Sequence, residues 1–358
     1  MTTITASRPR ADSRWRDRLA PLAAGWLGLW GVLALLGTLT GAGYPFGPND
    51  PHGGDVSLLR LVPVEVATPL FAGVLLSAAV AALAMSRPAA RPPGPLRALL
   101  IGYGWAVAFV LAVVVPDSRV LIILGYLPIL ILGAPFGWPP VDYSEVFTWA
   151  LFARFAALAG GLLLAGAVLA WQRRTAGACV GCGRADTAQR WTTPAAATHW
   201  GRWAAGIAAA IPLTYAVTRF AWAAGIPLGI SREFLTEMQE TGLVWAGFGL
   251  GAFATVGAIL TLGLVQRWGE RFPGWMLGLA GRRVPVRLAV VPASLVAIAV
   301  TAASLGLLSN PEFWRLTGGF SMTGAPMLLW PLWGVALGAA TYAYHLRRRG
   351  ACRRCDRS

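Results

Sequence analysis

The sequence predicts an all-α protein, a polytopic membrane helix bundle of eight transmembrane helices plus one short re-entrant or interfacial segment. Three observations carry that expectation. Of 358 residues, 56% are apolar and only 13% charged, with a mean hydropathy of +0.59, whereas a soluble domain carries about 25% charged residues. Apolar runs of about 18 or more residues recur, each long enough at about 1.5 Å per residue to cross about 30 Å of hydrocarbon. The charge is also sorted by side: the 30 basic residues are all Arg, and they collect in alternate connections between the runs.

The runs place spans at about 20–41, 63–85, 96–116, 146–170, 203–224, 243–265, 288–308 and 326–345. A further apolar stretch, 120–134, contains Gly125 and Pro128 and is closed by Pro135. It is too short for a comfortable crossing and reads as the re-entrant or interfacial piece. The chain then divides into a basic N-terminus at 1–19, a membrane domain at 20–345 with a loop at 171–202, and a tail at 346–358.

Charge fixes the expected orientation. With the N-terminus inside, segments 1–19, 86–97, 171–202, 266–287 and 346–358 hold 24 Arg against five acidic residues, and the outer segments hold four Arg against ten Asp or Glu. Positively charged short loops stay cytoplasmic, so both termini are expected inside, in a cell inner membrane. A ninth crossing at 120–134 would place half of these clusters outside. The five Arg between residues 8 and 18 resemble a secretory signal. The apolar run behind them is longer than a signal core of about 7–15 residues and reads as a retained anchor.

Local signals fill in the loops. Gly-x-Pro-[Phe/Leu]-Gly occurs at 43–47, 133–137 and 225–229, starting 90 and 92 residues apart, and suggests helix-hairpin repeats. Asp142 with Glu145 reads as a capping box for the 146–170 span, and Thr236 with Gln239 as one for 243–265. Asn310-Pro311-Glu312 reads as the start of a short helix. Between 266 and 283, aromatic and basic residues interleave as in a segment lying flat on an anionic leaflet.

Two arginines, Arg154 and Arg219, fall inside spans, both in the expected outer half. An Arg at a helix centre costs about 2.5–3.5 kcal/mol on insertion scales, so each must pair, snorkel or face protein. Glu65, at the outer start of the second span, is the expected partner of one or the other, and Tyr215 shares a helix face with Arg219. Glu65, Arg154, Tyr215 and Arg219 are therefore the candidate ligand site, with Asp117, Asp142 and Glu145 at its mouth. Its net positive centre suits a small anionic or lipid-like ligand. The bland alternative is an ion pair that only fixes helix positions.

The four cysteines form two Cys-x-x-Cys turns, Cys179/Cys182 in the 171–202 loop and Cys352/Cys355 in the tail. Four spans separate them, an even number, so both turns face the same side. Four thiolates from two such turns close a tetrahedral Zn²⁺ shell, and Gly177, Gly181 and Gly183 resemble a zinc knuckle. A redox dithiol and unliganded thiols are the competing readings, while structural disulfides do not suit a reducing cytoplasm. Arg353, Arg354 and Arg357 are placed to offset the thiolate charge.

No zinc-protease helix, phosphate-binding loop or nucleophile elbow is present. Nucleic-acid binding is disfavoured, because the arginines flank membrane spans and do not form a basic domain. The runs Trp268-Gly269-Glu270-Arg271-Phe272-Pro273 and Ala280-Gly281-Arg282-Arg283-Val284-Pro285, with Arg202-Trp203 and residues 225–229, resemble uncharacterised multi-pass integral membrane proteins of actinobacteria. That resemblance implies a membrane and no activity. The expectation is a non-catalytic accessory or scaffold protein that contacts membrane lipids and a protein partner at the cytoplasmic face. The alternatives are a transporter or binder of the anionic ligand and a membrane-embedded lipid-acting enzyme.

Overall fold

The computed structural model describes residues 14–41, 44–51, 57–87, 94–136, 142–185, 190–274, 276, 278–316, 325–350, 352 and 355. In chain order the helices are α1 (Arg14–Asp17), α2 (Leu19–Thr40), α3 (Val64–Ser86), α4 (Gly94–Phe109), α5 (Ser118–Gly133), α6 (Tyr143–Val146) and α7 (Trp149–Thr175). They continue with α8 (Pro194–Ala223), α9 (Arg232–Glu240), α10 (Leu243–Gly263), α11 (Val286–Ser309), α12 (Pro311–Leu316), α13 (Ala325–Leu328) and α14 (Trp330–Arg348). A π-helical turn at Val110–Val114 prolongs α4. Among the described residues the only β feature is an isolated bridge between Arg271 and Arg283.

Among the described residues, seven helices are long and apolar enough to cross a membrane: α2, α3, α4 with its π turn, α7, α8, α10 and α11. The stretch expected as a short re-entrant piece is the shorter helix α5. The eighth expected span, 326–345, differs from the expectation. Its start is split off as α13, Pro331 occupies the first turn of α14, and the last turn of α14 holds His345, Arg347 and Arg348, which leaves 19 residues.

The chain divides into two compact units, the first comprising residues 1–116, 141–188 and 350–358, the second 117–140 and 189–349. In the first, α2 packs on α3 and α7, and α4 packs on α7. Lipid offers apolar groups no drive to associate, so these helices approach through small residues. Gly161 of α7 is an example: a Cβ there would lie 2.9 Å from the Ala108 carbonyl and the Ala112 amide. The Trp26 indole donates to the Ala156 carbonyl at 2.9 Å and ties α2 to α7. In the second unit α8 packs on α10 and α14, and α11 on α14 and α5. A Cβ at Gly334 of α14 would lie 3.0 Å from the Ala297 carbonyl of α11.

Several local expectations are corrected. Asp142 accepts from the Ser144 amide at 2.8 Å and so caps the one-turn α6, while the long α7 is capped by Thr148, which accepts from Leu151. Thr236 lies inside α9 and bonds back to the Arg232 carbonyl, Ser231 caps that helix, and α10 starts after Gly242 with no side-chain cap. The 266–283 segment, expected to lie on an anionic leaflet, is a loop among its described residues. Phe272 donates to the Arg282 carbonyl and Val284 to the Glu270 carbonyl, which folds it into a tight loop, and Glu270 pairs with Arg347 and Arg348 of α14. Trp275, which belonged to that expectation, lies outside the described residues. α12 does begin with Pro311 in its first turn.

Candidate metal centre and buried arginines

The loop after α7 turns through a knuckle fixed by its backbone. Ala178 donates to the Arg173 carbonyl at 2.9 Å, Gly183 to the Cys179 carbonyl at 2.7 Å, and Cys179 to the Arg184 carbonyl at 2.9 Å. Gly177 and Gly183 sit at φ +70° and +75°, a region that side chains with a Cβ avoid. A Cβ at Gly181 would make ordinary contacts of 3.4 Å and 3.5 Å with the sulfurs of Cys352 and Cys179, so this position lies against the cluster without requiring glycine for space.

The knuckle and the tail belong to the same unit. All four sulfurs lie within 4.8 Å of one another, with Cys179 Sγ 3.8 Å from Cys352 Sγ and Cys182 Sγ 3.6 Å from Cys355 Sγ. The Zn–S length of about 2.3 Å makes the edge of a tetrahedral Zn²⁺ shell about 3.8 Å, so the set has the size of a structural zinc site. Disulfide sulfurs sit at about 2.05 Å, and none of the four cysteines is in a disulfide here. Each is half-buried, and four thiolates would complete the tetrahedral shell of a structural zinc site.

The cationic surround differs from the one expected. Arg16 of α1 donates to the Val180 and Gly181 carbonyls, Arg173 to the Val180 carbonyl at 3.2 Å, and Arg184 to the Gly350 carbonyl at 3.1 Å. These three brace the knuckle and the start of the tail, and they place positive charge beside a shell that would carry two negative charges with Zn²⁺ bound. Arg353, Arg354 and Arg357 lie outside the described residues. Sequence reasoning missed Arg16 because 164 residues separate it from Val180. The signal available was an Arg-rich N-terminal segment on the same expected side as the cysteines.

Arg154 is fully buried, and its partner is Asp50, not Glu65: Nη2 donates to Asp50 Oδ2 at 2.8 Å, with both side chains 0% exposed. Nη1 donates to the Ala150 carbonyl at 2.9 Å, and the guanidinium lies 5.4 Å from the Phe46 ring centroid. Asp50 reaches this depth because the chain doubles back after α2 through a 3-10 turn at Gly47–Asn49. Gly47 has φ +58°, and a Cβ on it would lie 2.9 Å from the Leu59 carbonyl. Nearby, a cavity of about 60 Å³ is lined by Trp26, Trp30, Tyr44, Phe46, Phe71 and Trp149 among others, and it includes none of the four candidate ligand residues. Burial raises the Tyr44 phenol to about 12, with Arg154 pulling weakly the other way. Glu65 is exposed in the first turn of α3.

Arg219 is 8% exposed in the second unit. Its guanidinium carbon lies 4.2 Å from the ring centroids of both Tyr215 and Trp222, and Nη1 donates to Thr218 Oγ1 at 3.2 Å. Tyr215 thus meets Arg219 as the helical spacing anticipated. Glu65 and Arg154 belong to the first unit, and Tyr215 and Arg219 to the second. Of the mouth residues, Asp142 and Glu145 are exposed. Asp117 is buried and holds Arg119 at 2.7 Å.

The fold and these centres define a polytopic all-α membrane protein with a tetracysteine site sized for structural Zn²⁺. In comparisons with protein-family models, curated proteins and solved structures, the chain matches none.

Proposed function

We propose that this protein is a non-catalytic accessory or scaffold protein of the cell inner membrane whose cytoplasmic face is built on a zinc clamp. The observation that carries the reading is the convergence of four sulfurs, from a loop and a tail 173 residues apart, into one closed shell. A metal with a full set of protein ligands holds chain segments together and activates no substrate. The clamp would fasten the tail to the knuckle after α7 and present one fixed surface, rimmed by Arg16, Arg173 and Arg184, to a protein partner.

The same convergence bears on topology. A chain that leaves the cluster at Cys182 and returns to it at Cys352 crosses lipid an even number of times. The helices α8, α10 and α11 make three crossings, so α14, about 28 Å long by its 19 residues, serves as the fourth. Counted this way the protein has eight spans and, by its Arg distribution, both termini in the cytoplasm. The likeness to actinobacterial membrane proteins fits that setting.

Elemental analysis of the purified full-length chain tests the clamp. The expected result is about one zinc per chain, lost in Cys179→Ser/Cys352→Ser, and a content below about 0.3 with reduced thiols overturns it. A partner that co-purifies with the wild type and not with the double variant is expected for the scaffold role. For orientation, a thiol reagent that cannot cross the membrane should miss the cysteines of metal-stripped protein in intact cells.

A further inference from the structure

Arg219 presents an unusual combination of burial and charge. It is more than nine-tenths buried and, among the described residues, faces no carboxylate. A buried charge left without a counter-charge is strongly destabilising. Two aromatic faces recover part of that. Thr218 takes one N–H of Nη1, and Nε and Nη2 have no acceptor among the described residues. Those two nitrogens form the edge of the guanidinium that grips phosphate or carboxylate oxygens in a bidentate pair.

The surroundings are shaped for this side chain. Tyr215 and Trp222 lie four residues before and three after Arg219, so all three share a face of α8. The Trp222 indole donates to the Leu228 carbonyl at 3.0 Å, and its ring packs with Leu235 and Val244, which fixes the face it shows to the guanidinium. On the facing helix α10, a Cβ at Gly251 would lie 3.1 Å from Arg219 Cβ and one at Gly247 would lie 3.5 Å from Arg219 Cδ. Gly251 thus makes room for the stem, and Gly247 borders it at ordinary contact distance. Arg219 is four residues from Ala223, the last residue of α8, or about 6 Å of helix rise. With the span ending at about 224 as the sequence leads one to expect, that depth is near the outer headgroup region.

We propose that Arg219, walled by Tyr215 and Trp222 and supported by Thr218, is a binding site for a phosphate-bearing anion, with the phosphodiester of an anionic phospholipid as the natural source. The missing counter-charge comes from the ligand, and the rings exclude water from the ion pair. The site stands independently of the zinc clamp.

The experiment uses the full-length protein in phosphatidylcholine nanodiscs with added phosphatidylglycerol, read by native mass spectrometry. The wild type is expected to retain one phosphatidylglycerol. In Arg219→Gln retention should weaken by about tenfold or more, the loss of one charge-assisted bidentate contact. Arg219→Lys keeps the charge without the fork and should fall between, a second variant should the first fail to fold. Arg232→Gln, an exposed change on α9, should leave retention unchanged. Displacement of the lipid by millimolar inorganic phosphate would assign the site to a free phosphate and keep its chemistry. Equal retention by wild type and both Arg219 variants, or binding of neither lipid nor phosphate by the wild type, overturns the proposal.

Discussion

Arg154 and Arg219 are the same residue type in similar helical settings, and they are satisfied in opposite ways. In the first unit the chain supplies everything: Asp50 for charge, the Ala150 carbonyl for a second N–H, and the Phe46 face above. In the second, α8 supplies two rings and one hydroxyl to Arg219 and no acid among the described residues. The contrast teaches that burial of a charge does not by itself mark a site. An arginine closed by its own chain is architecture, and one left with open donors is the candidate for binding.

The contrast breaks most readily at Asp50. Asp50→Ala removes the carboxylate that faces the buried Arg154 and should cost about 3–5 kcal/mol. The double variant Asp50→Leu/Arg154→Leu should regain most of that, because the orphaned charge leaves with its partner. Reversible unfolding in bicelles measures both. A single variant as stable as the wild type would mean that Arg154 is not closed by Asp50.

The clamp is the first unit's other closed polar centre, and Gly183 probes it with a smaller expected effect. With φ at +75° and the Arg173 Nε 3.0 Å from a built Cβ, Gly183→Ala strains the knuckle twice. The left-handed conformation alone costs a side chain about 1–2 kcal/mol. Weaker zinc retention against a chelator titration, with the rest of the fold intact by circular dichroism, is the expected outcome. An unchanged chelator profile would show that the knuckle backbone does not set metal affinity.

Arg219→Leu sharpens the comparison from the other side. In a membrane of neutral phospholipid it removes two cation–π contacts and one hydrogen bond, but it also removes the desolvation of a buried charge. No acid among the described residues is orphaned. A stability within about 1 kcal/mol of the wild type is expected. A loss as large as that of Asp50→Ala would show that Arg219 is closed too, and the two arginines would then be alike.

How far the sequence foretold these centres follows from the range of the interactions. The long helices are legible because lipid demands about 20 apolar residues in a row, and Cys-x-x-Cys is legible because its spacing is local. The acid facing Arg154 is not legible. Asp50 lies 104 residues away in a loop, and only the folding-back at Gly47 carries it inward. Glu65 was the nearer choice by position along a span, yet it stays exposed. The caps at Asp142 and Thr236 were misplaced because each starts or joins a short helix of its own before the long one. The split before α14 follows from Pro326 and Pro331 in the first turns of two successive helices, a signal present in the sequence and outweighed there by the apolar run.

The smallest effect concerns proton balance near Arg154 and is silent at neutral pH. Tyr44 is buried beside the aromatic cavity, and desolvation raises its pKa from the ordinary 10.0 to about 12. Between those values the unfolded chain has released the phenolic proton and the folded chain has kept it. Stability is therefore complete below pH 10 and declines as the pH rises toward 12. Tyr44→Phe should remove that decline with little change at pH 7. Ultraviolet titration should show one tyrosine ionising near 12 in the wild type and missing in the variant. Ionisation of Tyr44 with the exposed tyrosines would mean that its pocket admits water, and the enclosed setting assigned to Arg154 and Asp50 would be open on that side.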